Sequence, residues 1–254
     1  MSTATRLSLL SVIIPARDEQ ECITTTLEKI AQTLSLNQVP HEILVVDDGS
    51  TDQTWKILTA LEMRLPRLRV MRNPGPYGFG RAVSYGLDHM AGDAVVIMMA
   101  DESEDCDDAI HYWQKLHEGF DCVFGSRFIE GGKVIDYPWP KYVLNRLGNH
   151  VIKLLFGLPF NDTTNPFKAY HKRAVDGCRP LRSTHFELAV ELALKAIVRG
   201  FSWAVVPVTW KDRRAGVSKF KLHKMGMRYL LTVFSVWLET WRRPAAPPKS
   251  AQGL

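Results

Sequence analysis

Short apolar runs alternate with longer segments of mixed polarity along the first half of the chain. The runs are rich in valine, isoleucine and leucine, as strands buried on both faces of a sheet are. We predict strands at Ser8–Ile14, Glu42–Val46, Leu68–Arg72, Ala94–Met99 and Cys122–Gly125. The intervening segments have helical length, at Glu19–Leu34, Asp52–Arg64, Gly78–Met90 and Asp107–Glu118. This alternation predicts an α/β fold with a mostly parallel central sheet and helices on both faces.

The second half of the chain does not keep this alternation. We predict helices at Lys141–Gly157, Phe186–Arg199 and Lys221–Arg243, and strands at Phe167–Tyr170 and Trp203–Trp210. The last helix carries a narrow polar stripe on a broadly apolar surface, which is typical of an amphipathic helix. We therefore divide the chain into a main domain at 1–220, an amphipathic helix at 221–243 and a tail at 244–254, whose proline-rich sequence indicates disorder.

Charge and cysteine content narrow the classes of protein only slightly. The net charge of +5 favours anionic ligands or an acidic membrane surface without deciding between them. The four cysteines are scattered, which argues against a disulfide framework or a zinc site and favours a reducing, cytoplasmic compartment. Charges follow the first apolar run at once, so we interpret it as a strand rather than a signal peptide. No uninterrupted apolar run reaches the roughly 18 residues expected of a transmembrane helix.

Residues that carry chemistry follow the predicted strands at their carboxyl ends, where parallel sheets of this kind bind ligands. Pro15 ends the first strand, and Arg17 and Glu19 follow in its loop. The fourth strand ends in a run of acids that suits a hard divalent cation, which prefers carboxylate oxygens and often shares its shell with substrate phosphates. The alternative is an acidic turn that caps the next helix. These acids are Asp101, Glu102, Glu104 and Asp105.

The second and third loops carry two further signals. Asp47 and Asp48 end the second strand, where a carboxylate is able to accept hydrogen bonds from a base edge or a ribose hydroxyl. The alternative here is a capped turn, because Ser50 begins a capping box. In the third loop, Gly78 and Gly80 allow close approach of a ligand to the backbone, and the helix that begins there suits a phosphate. The glycines do not follow the first strand, which disfavours a nicotinamide oxidoreductase.

The order of these four loops resembles the family 2 glycosyltransferases. A proline-ended first strand, the DDGS loop, a glycine-rich loop and an acidic loop occur together, and the chain is most similar to the polyprenyl-phosphate type, such as dolichol-phosphate mannose synthases. The resemblance covers about Leu7 to Arg243. It implies the nucleotide-diphospho-sugar transferase fold (GT-A type), so that the main domain would be the catalytic domain.

On the donor side, the resemblance implies a nucleotide pocket and a cation site. The residues that correspond to the nucleotide pocket are Pro15, Arg17, Glu19, Asp47 and Asp48. Asp101 corresponds to the second acid of the metal motif, for magnesium or manganese, whereas Met99 replaces the first acid and is unable to ligate a hard cation. Glu102 and Glu104 are the candidate replacements. The RRAGVSKF segment resembles a loop that closes over the pyrophosphate through Arg213, Ser218 and Lys219.

On the acceptor side, the resemblance points to Arg127 in GSRFIEGG and to Asp162 in NDTTNPFKAYHK. Arg127 is a candidate for binding phosphate, because a guanidinium group is able to bind two phosphate oxygens. Asp162 is either a general base or a group that positions Arg127 or the sugar. A lipid phosphate is already anionic at neutral pH, so it needs little help from a base.

The resulting hypothesis is an inverting, metal-assisted enzyme that moves a hexose from a nucleotide sugar, of the GDP-mannose or UDP-glucose class, to a polyprenyl phosphate. The alternatives are a soluble or protein acceptor, and a sugar-nucleotide binding protein that has lost catalysis. We expect no nucleic-acid partner. The two helices near 141–157 and 221–243 either lie in the headgroup plane of the inner, cytoplasmic membrane face or pack on the sheet, and a membrane-protein partner is possible.

Overall fold

The structure is a computed structural model that describes residues 7–212 and 222–242. Its strands are β1 (Leu10–Ala16), β2 (His41–Asp47), β3 (Leu68–Arg72), β4 (Ala94–Ile97), β5 (Cys122–Ser126), β6 (Lys133–Ile135), β7 (Lys168–His171), β8 (Trp203–Pro207) and β9 (Thr209–Lys211). Its helices are α1 (Ile23–Leu36), α2 (Thr54–Glu62), α3 (Phe79–His89), α4 (Cys106–His117), α5 (Trp139–Phe156), α6 (Lys172–Gly177), α7 (Leu188–Val198) and α8 (Leu222–Arg242).

Seven strands form one central sheet in the order β3-β2-β1-β4-β7-β5-β8. All neighbours are parallel except β7, which is antiparallel to both β4 and β5. The predicted fold class is therefore confirmed. The prediction of a single strand at Trp203–Trp210 is wrong, because this segment forms two strands. Its first part, β8, pairs with β5 and ends at Pro207, which lies opposite Ser126. Its second part belongs to β9, which pairs with β6 in a separate sheet.

Pro15 lies inside β1, so the prediction that it ends the strand is wrong. The β1–β4 ladder stops at the pair Ile13 and Ile97, and the Met98 N–H then donates to the Ile13 carbonyl at 3.0 Å. Backbone groups of alternate residues point to the same neighbouring strand, so Pro15 faces β4, as Ile13 does. The β1–β4 ladder has already ended there, so no hydrogen bond is lost because proline lacks an N–H. The strand continues along β2, where Ala16 pairs with Asp47.

The sheet separates two apolar cores. Val12 and Ile14 of β1 pack on the side of α1, α2 and α4, whereas Ile13 packs on the side of α3 and α7. This follows from the two-residue period of a strand, and it explains why the strands read as continuous apolar runs. With both faces covered, the loops at the carboxyl ends of the parallel strands are the place where the sheet is open to a ligand.

Candidate active site at the carboxyl ends of the strands

The two aspartates after β2 are buried and bind neighbouring loops. Asp48 is 4% exposed, and its carboxylate accepts hydrogen bonds from the Asn73 side-chain amide at 2.7 Å and from the Gly78 N–H at 2.8 Å. Asp47 is 2% exposed and accepts from the Ser50 N–H at 3.2 Å. The pair thus fixes the loops that follow β2 and β3. Direct binding of base and ribose by these carboxylates stays a prediction.

Gly78 and Gly80 lie in close contact with the backbone of residues 183–185. A Cβ atom on Gly80 would lie 2.7 Å from the carbonyl oxygens of Ser183 and His185. The Gly78 N–H is used by Asp48, and the Arg81 N–H donates to Gly78 and more weakly to Thr184. The structure therefore adds a packing reason for these glycines: they allow α3 to pack against residues 183–185. Binding of a phosphate by this loop stays a prediction.

Two buried glutamates hold residues 182–185 in place. The Glu191 carboxylate accepts the N–H groups of Arg182 and Ser183 and forms a buried ion pair with Lys195. Glu187 accepts the N–H groups of Thr184 and His185, both at 3.1 Å. These acids are one helical turn apart in sequence. They fix the backbone of residues 182–185, which packs against the glycine-rich loop.

Arg17 and Tyr77 form an exposed face beside these loops. The Arg17 guanidinium lies 5.6 Å from the centre of the Tyr77 ring, which is 48% exposed and rests on the backbone of Gly49. Glu19 lies nearby in the first loop and donates its N–H to the Thr54 hydroxyl at 2.8 Å. Sequence reasoning missed Tyr77, because a tyrosine in a loop gives no signal until the fold brings an arginine to it.

The acidic loop after β4 brings two carboxyl groups toward one another. Asp101 is 5% exposed and accepts the Ser103 N–H at 3.2 Å. Glu104 is 8% exposed, and one of its oxygens accepts the Met99 N–H at 2.9 Å while the other is buried and has no hydrogen-bond partner in the described part of the chain. Burial raises the pKa of Glu104 well above its usual value, and the charge of Asp101 adds to this effect.

These residues fit a cation that takes much of its coordination from a diphosphate. Among the described residues there is no group of three or more histidine, cysteine, aspartate or glutamate side chains able to hold a metal by themselves. Mg²⁺ is commonly bound through one or two carboxylates together with substrate phosphates. Asp101 and the unpartnered oxygen of Glu104 would supply that number, and the partly exposed Glu102 stays a second candidate for the acid missing at Met99.

Arg127 and Asp162 form a buried ion pair after β5. The Asp162 carboxylate is fully buried and accepts three hydrogen bonds from Arg127, from the backbone N–H at 2.9 Å, from Nε at 2.8 Å and from Nη2 at 2.7 Å. Burial by itself lowers the pKa of Arg127, but the charge and hydrogen bonds of Asp162 outweigh it and raise the pKa. The structure therefore disfavours Asp162 as a general base and favours the alternative that it positions Arg127.

Helix α5 holds the segment that carries Asp162. Asn145 and Asn149 donate to the Thr164 hydroxyl, each at 2.8 Å. The Arg146 guanidinium donates to the Asn161 carbonyl at 3.3 Å and lies 4.2 Å from the centre of the Phe128 ring. Sequence reasoning missed Arg146, because only the fold places this helix beside the residue that follows Arg127. Arg213, Ser218 and Lys219 lie outside the described residues.

The outer surfaces of α5 and α8 are apolar. The two helices contact one another, and each buries only a few side chains, such as Ile152 of α5 and Val233 and Val236 of α8. Within the described residues, no helix combines the length and the apolarity required to cross a bilayer. The exposed large apolar side chains are Trp139, Val143, Leu144, Leu147, Val151, Leu154 and Leu155 of α5, and Met227, Leu230, Leu231, Phe234, Leu238 and Trp241 of α8.

Comparison with known proteins gives consistent matches over most of the chain. The sequence profile described as "Glycosyl transferase family 2" matches residues 11–178. A polyprenol monophosphomannose synthase of Mycolicibacterium smegmatis is 31% identical over 233 residues, covering 85% of this chain and 86% of that protein. A dolichol-phosphate mannosyltransferase of Pyrococcus furiosus is 30% identical over 217 residues, and the match spans 84% of this chain but 59% of that longer protein.

Among solved structures, glucosyl-3-phosphoglycerate synthase from Mycobacterium tuberculosis, in complex with Mn²⁺, UDP and phosphoglyceric acid, superposes with a TM-score of 0.66. The superposition covers 90% of this chain and 78% of that one, at 18% identity. Such a low identity supports a common fold and nothing finer.

The contacts of Gly80 predict a large loss of stability on adding one methyl group. Gly80→Ala is expected to lower the free energy of unfolding by about 1–3 kcal/mol, because backbone carbonyls must move to accommodate the new Cβ atom. The control is Gly148→Ala in α5, where no atom lies within 4 Å of the new Cβ atom. Alanine there is expected to stabilise the protein by about 0.5–1 kcal/mol. Urea denaturation measures both, and equal effects would contradict the packing role of Gly80.

The burial of Asp162 predicts that its loss leaves an uncompensated cation. Asp162→Asn is expected to destabilise the protein by about 3 kcal/mol or more, because Arg127 remains buried without its counter-charge. The control, Asp176→Asn, removes two exposed ion pairs, with Lys172 and Arg179, in which the Asp176 side chain is 48% exposed. It is expected to cost less than about 1 kcal/mol. Thermal and urea unfolding measure both, and a stable Asp162→Asn variant would show that Arg127 finds another partner.

Proposed function

Since this chain belongs to glycosyl transferase family 2, we propose that it transfers a hexose from a nucleotide sugar to a polyprenyl phosphate, with inversion at the anomeric carbon. Two curated relatives at about 30% identity are named for mannose transfer to polyprenol or dolichol phosphate, and they support this acceptor class. The base and the sugar of the donor stay open between the GDP-mannose and UDP-glucose classes.

The observation that carries the proposal is the two-sided character of α5. One side of this helix holds the segment around Asp162, and so supports the Arg127 guanidinium. The other side exposes large apolar residues, with Leu147 at 61% and Leu154 at 77% exposure. A polyprenyl phosphate has an anionic head and a long apolar chain, which need a cationic site next to an apolar surface.

The chemistry requires charge stabilisation more than proton transfer. An oxygen of the lipid phosphate forms the new bond to the anomeric carbon, while the bond from that carbon to the donor's diphosphate breaks and its electron pair leaves with the diphosphate. The attacking oxygen is already anionic, so no general base is needed, which agrees with the buried ion pair of Asp162. Arg127 is held in place by this pair, and the partly exposed Arg146 beside it is a further candidate for the acceptor phosphate.

Donor-side groups would balance the charge that develops on the diphosphate. Asp101 and Glu104 would hold a divalent cation, which supplies positive charge next to the leaving group when it is bound. Arg213, Ser218 and Lys219 retain their predicted role of closing over the pyrophosphate. Arg17 and Tyr77 face solvent beside the loop after β2, where they are available to contact the nucleotide.

Two alternative functions are distinguished from this proposal by the experiment described below. A soluble or protein acceptor is the first alternative, because a shared fold does not fix the acceptor. A binding protein without catalysis is favoured by Met99, which takes the place of a metal-binding acid. Both alternatives share the donor site and differ in whether, and to what acceptor, the sugar is transferred.

The first experiment measures release of nucleoside diphosphate from UDP- and GDP-sugars with Mg²⁺ or Mn²⁺, with and without a short polyprenyl phosphate. Release that depends on the lipid is expected. Asp101→Asn is expected to slow it by about 100-fold or more, because charge stabilisation at the leaving group is lost. Asp107→Asn, an exposed acid at the start of α4, is the control and should leave the rate unchanged.

The other outcomes of this experiment separate the alternatives. Release only with phosphoglycerate or another soluble phosphate would replace the lipid acceptor. Nucleotide binding without release in any combination would support a protein that has lost catalysis. An unchanged rate in Asp101→Asn would remove this aspartate from the reaction.

The apolar surface formed by α5 and α8 is proposed to lie on the cytoplasmic face of an anionic membrane. Basic side chains such as Lys153 and Arg228 accompany the apolar ones, as in helices that lie in the headgroup plane. This arrangement would bring the lipid phosphate to the level of Arg127 while its chain stays in the bilayer.

Membrane contact predicts that polar substitutions on this surface weaken binding to lipid vesicles. The double variant Leu147→Ser and Leu154→Ser is expected to bind vesicles of phosphatidylglycerol and phosphatidylcholine about 10-fold or more weakly in sedimentation, because two large side chains no longer enter the apolar layer. The double variant Leu36→Ser and Met63→Ser changes residues that are even more exposed, at 74% and 88%, and lie away from α5 and α8, so it serves as the control. Equal binding by both variants would favour a membrane-protein partner on this surface.

A further inference from the structure

Lys168 is a fully buried lysine in β7, the antiparallel strand inside the sheet. It pairs with Ile97 on β4 and with Phe124 on β5. Ile97 is the last strand residue before the acidic loop, and Phe124 lies three positions before Arg127. Lys168 therefore lies in the sheet at the level where the acidic loop and the Arg127 loop leave it.

The Lys168 ammonium binds the segment that carries Asp162. It donates to the Thr163 carbonyl at 2.9 Å and to the Asn165 carbonyl. The Asn165 side-chain amide in turn donates to the Gly125 carbonyl at 3.0 Å, which ties the same segment to the end of β5. Asn145 and Asn149 hold this segment from the side of α5, and Lys168 holds it from within the sheet.

Burying the Lys168 ammonium costs folding free energy, so the presence of a lysine at this position needs an explanation. Lysine is almost never fully buried unless it is paired, and removing its charge from water carries a large desolvation penalty. Methionine would fill a similar volume without that penalty. The two carbonyls alone need only neutral donors, which glutamine also provides.

We propose that Lys168 is a positioning residue for the acceptor step: its ammonium fixes residues 162–165, which hold the Arg127 guanidinium, and adds positive charge behind the site of the acceptor phosphate. The catalytic part of this inference rests on the proposed function, whereas the positioning part does not.

Three charged or titratable groups influence this ammonium, one from each neighbouring loop. Asp162 favours the charged form, Arg127 opposes it, and Glu104 of the acidic loop favours it when ionised. Burial is the largest effect and lowers the pKa of Lys168 to about 7. The ammonium is therefore charged below pH of about 7 and loses its charge as the pH rises through that value.

The experiment compares Lys168→Met and Lys168→Gln with the wild type. The control is Lys172→Met, which removes an exposed lysine four residues further along the chain. Hydrogen exchange is measured in peptides that cover residues 161–165, and transfer kinetics are measured from pH 5.5 to 9 where transfer is observed. Circular dichroism checks that each variant is folded.

Positioning predicts that amides in residues 161–165 exchange about 10-fold or more faster in Lys168→Met, and less so in Lys168→Gln, which keeps a donor. The charge predicts that kcat of the wild type falls as the pH rises through about 7 and that both variants lose this decline. Lys168→Met is expected to lower kcat by about 10- to 100-fold. Nucleoside diphosphate affinity and the Lys172→Met control should remain unchanged within twofold.

Unchanged exchange in folded Lys168→Met would overturn the positioning role, whatever the activity. Faster exchange together with a pH decline that persists in both variants would overturn the role of the charge. Faster exchange in a protein that transfers no sugar to a lipid phosphate would contradict the proposed function and leave the positioning role supported.

Discussion

The buried carboxylate of Asp162 is the constraint on which the loop after β5 and the segment before β7 depend. A carboxylate with no exposure to water is stable only when it is paired and hydrogen-bonded, and Arg127 provides both through three contacts. The pair fixes the end of β5 relative to the segment before β7. It also leaves Asp162 unsuited to act as a base, which agrees with the proposed acceptor, a phosphate that is already ionised.

Other buried acids hold the loops after β2 and β3 and the segment before α7 through the same kind of contact. Asp48 binds the loop after β3, and Glu191 binds the segment that packs against Gly80. These contacts connect the loops after β2 and β3 to α7 in the second half of the chain. Each acid uses backbone N–H groups as its partners, so the position of the backbone, and not only of a side chain, is fixed. The open face that remains is formed by the more exposed Arg17 and Tyr77.

Helix α5 connects these buried contacts to the outside of the molecule. Its asparagines bind Thr164 on the inner side, while its leucines remain exposed on the outer side. Large apolar side chains are exposed along both α5 and the adjacent α8, and contiguous apolar patches commonly mark a protein or membrane interaction site. The proposed membrane contact would account both for this surface and for its position beside the segment that carries Asp162.

The sequence by itself determined the α/β class, the parallel strands of the first half and the family, because two-residue and helical periodicities and the order of loop motifs are local properties. The tertiary structure decided the rest. Pro15 is tolerated inside β1 because the β1–β4 ladder ends before it. A glycine is needed at position 80 because the carbonyl groups of Ser183 and His185 leave no room for a Cβ atom. Arg146, Tyr77 and Lys168 acquire their contacts only when distant elements pack together. No local pattern contains that information, since burial and pairing are set by what the fold places opposite each residue.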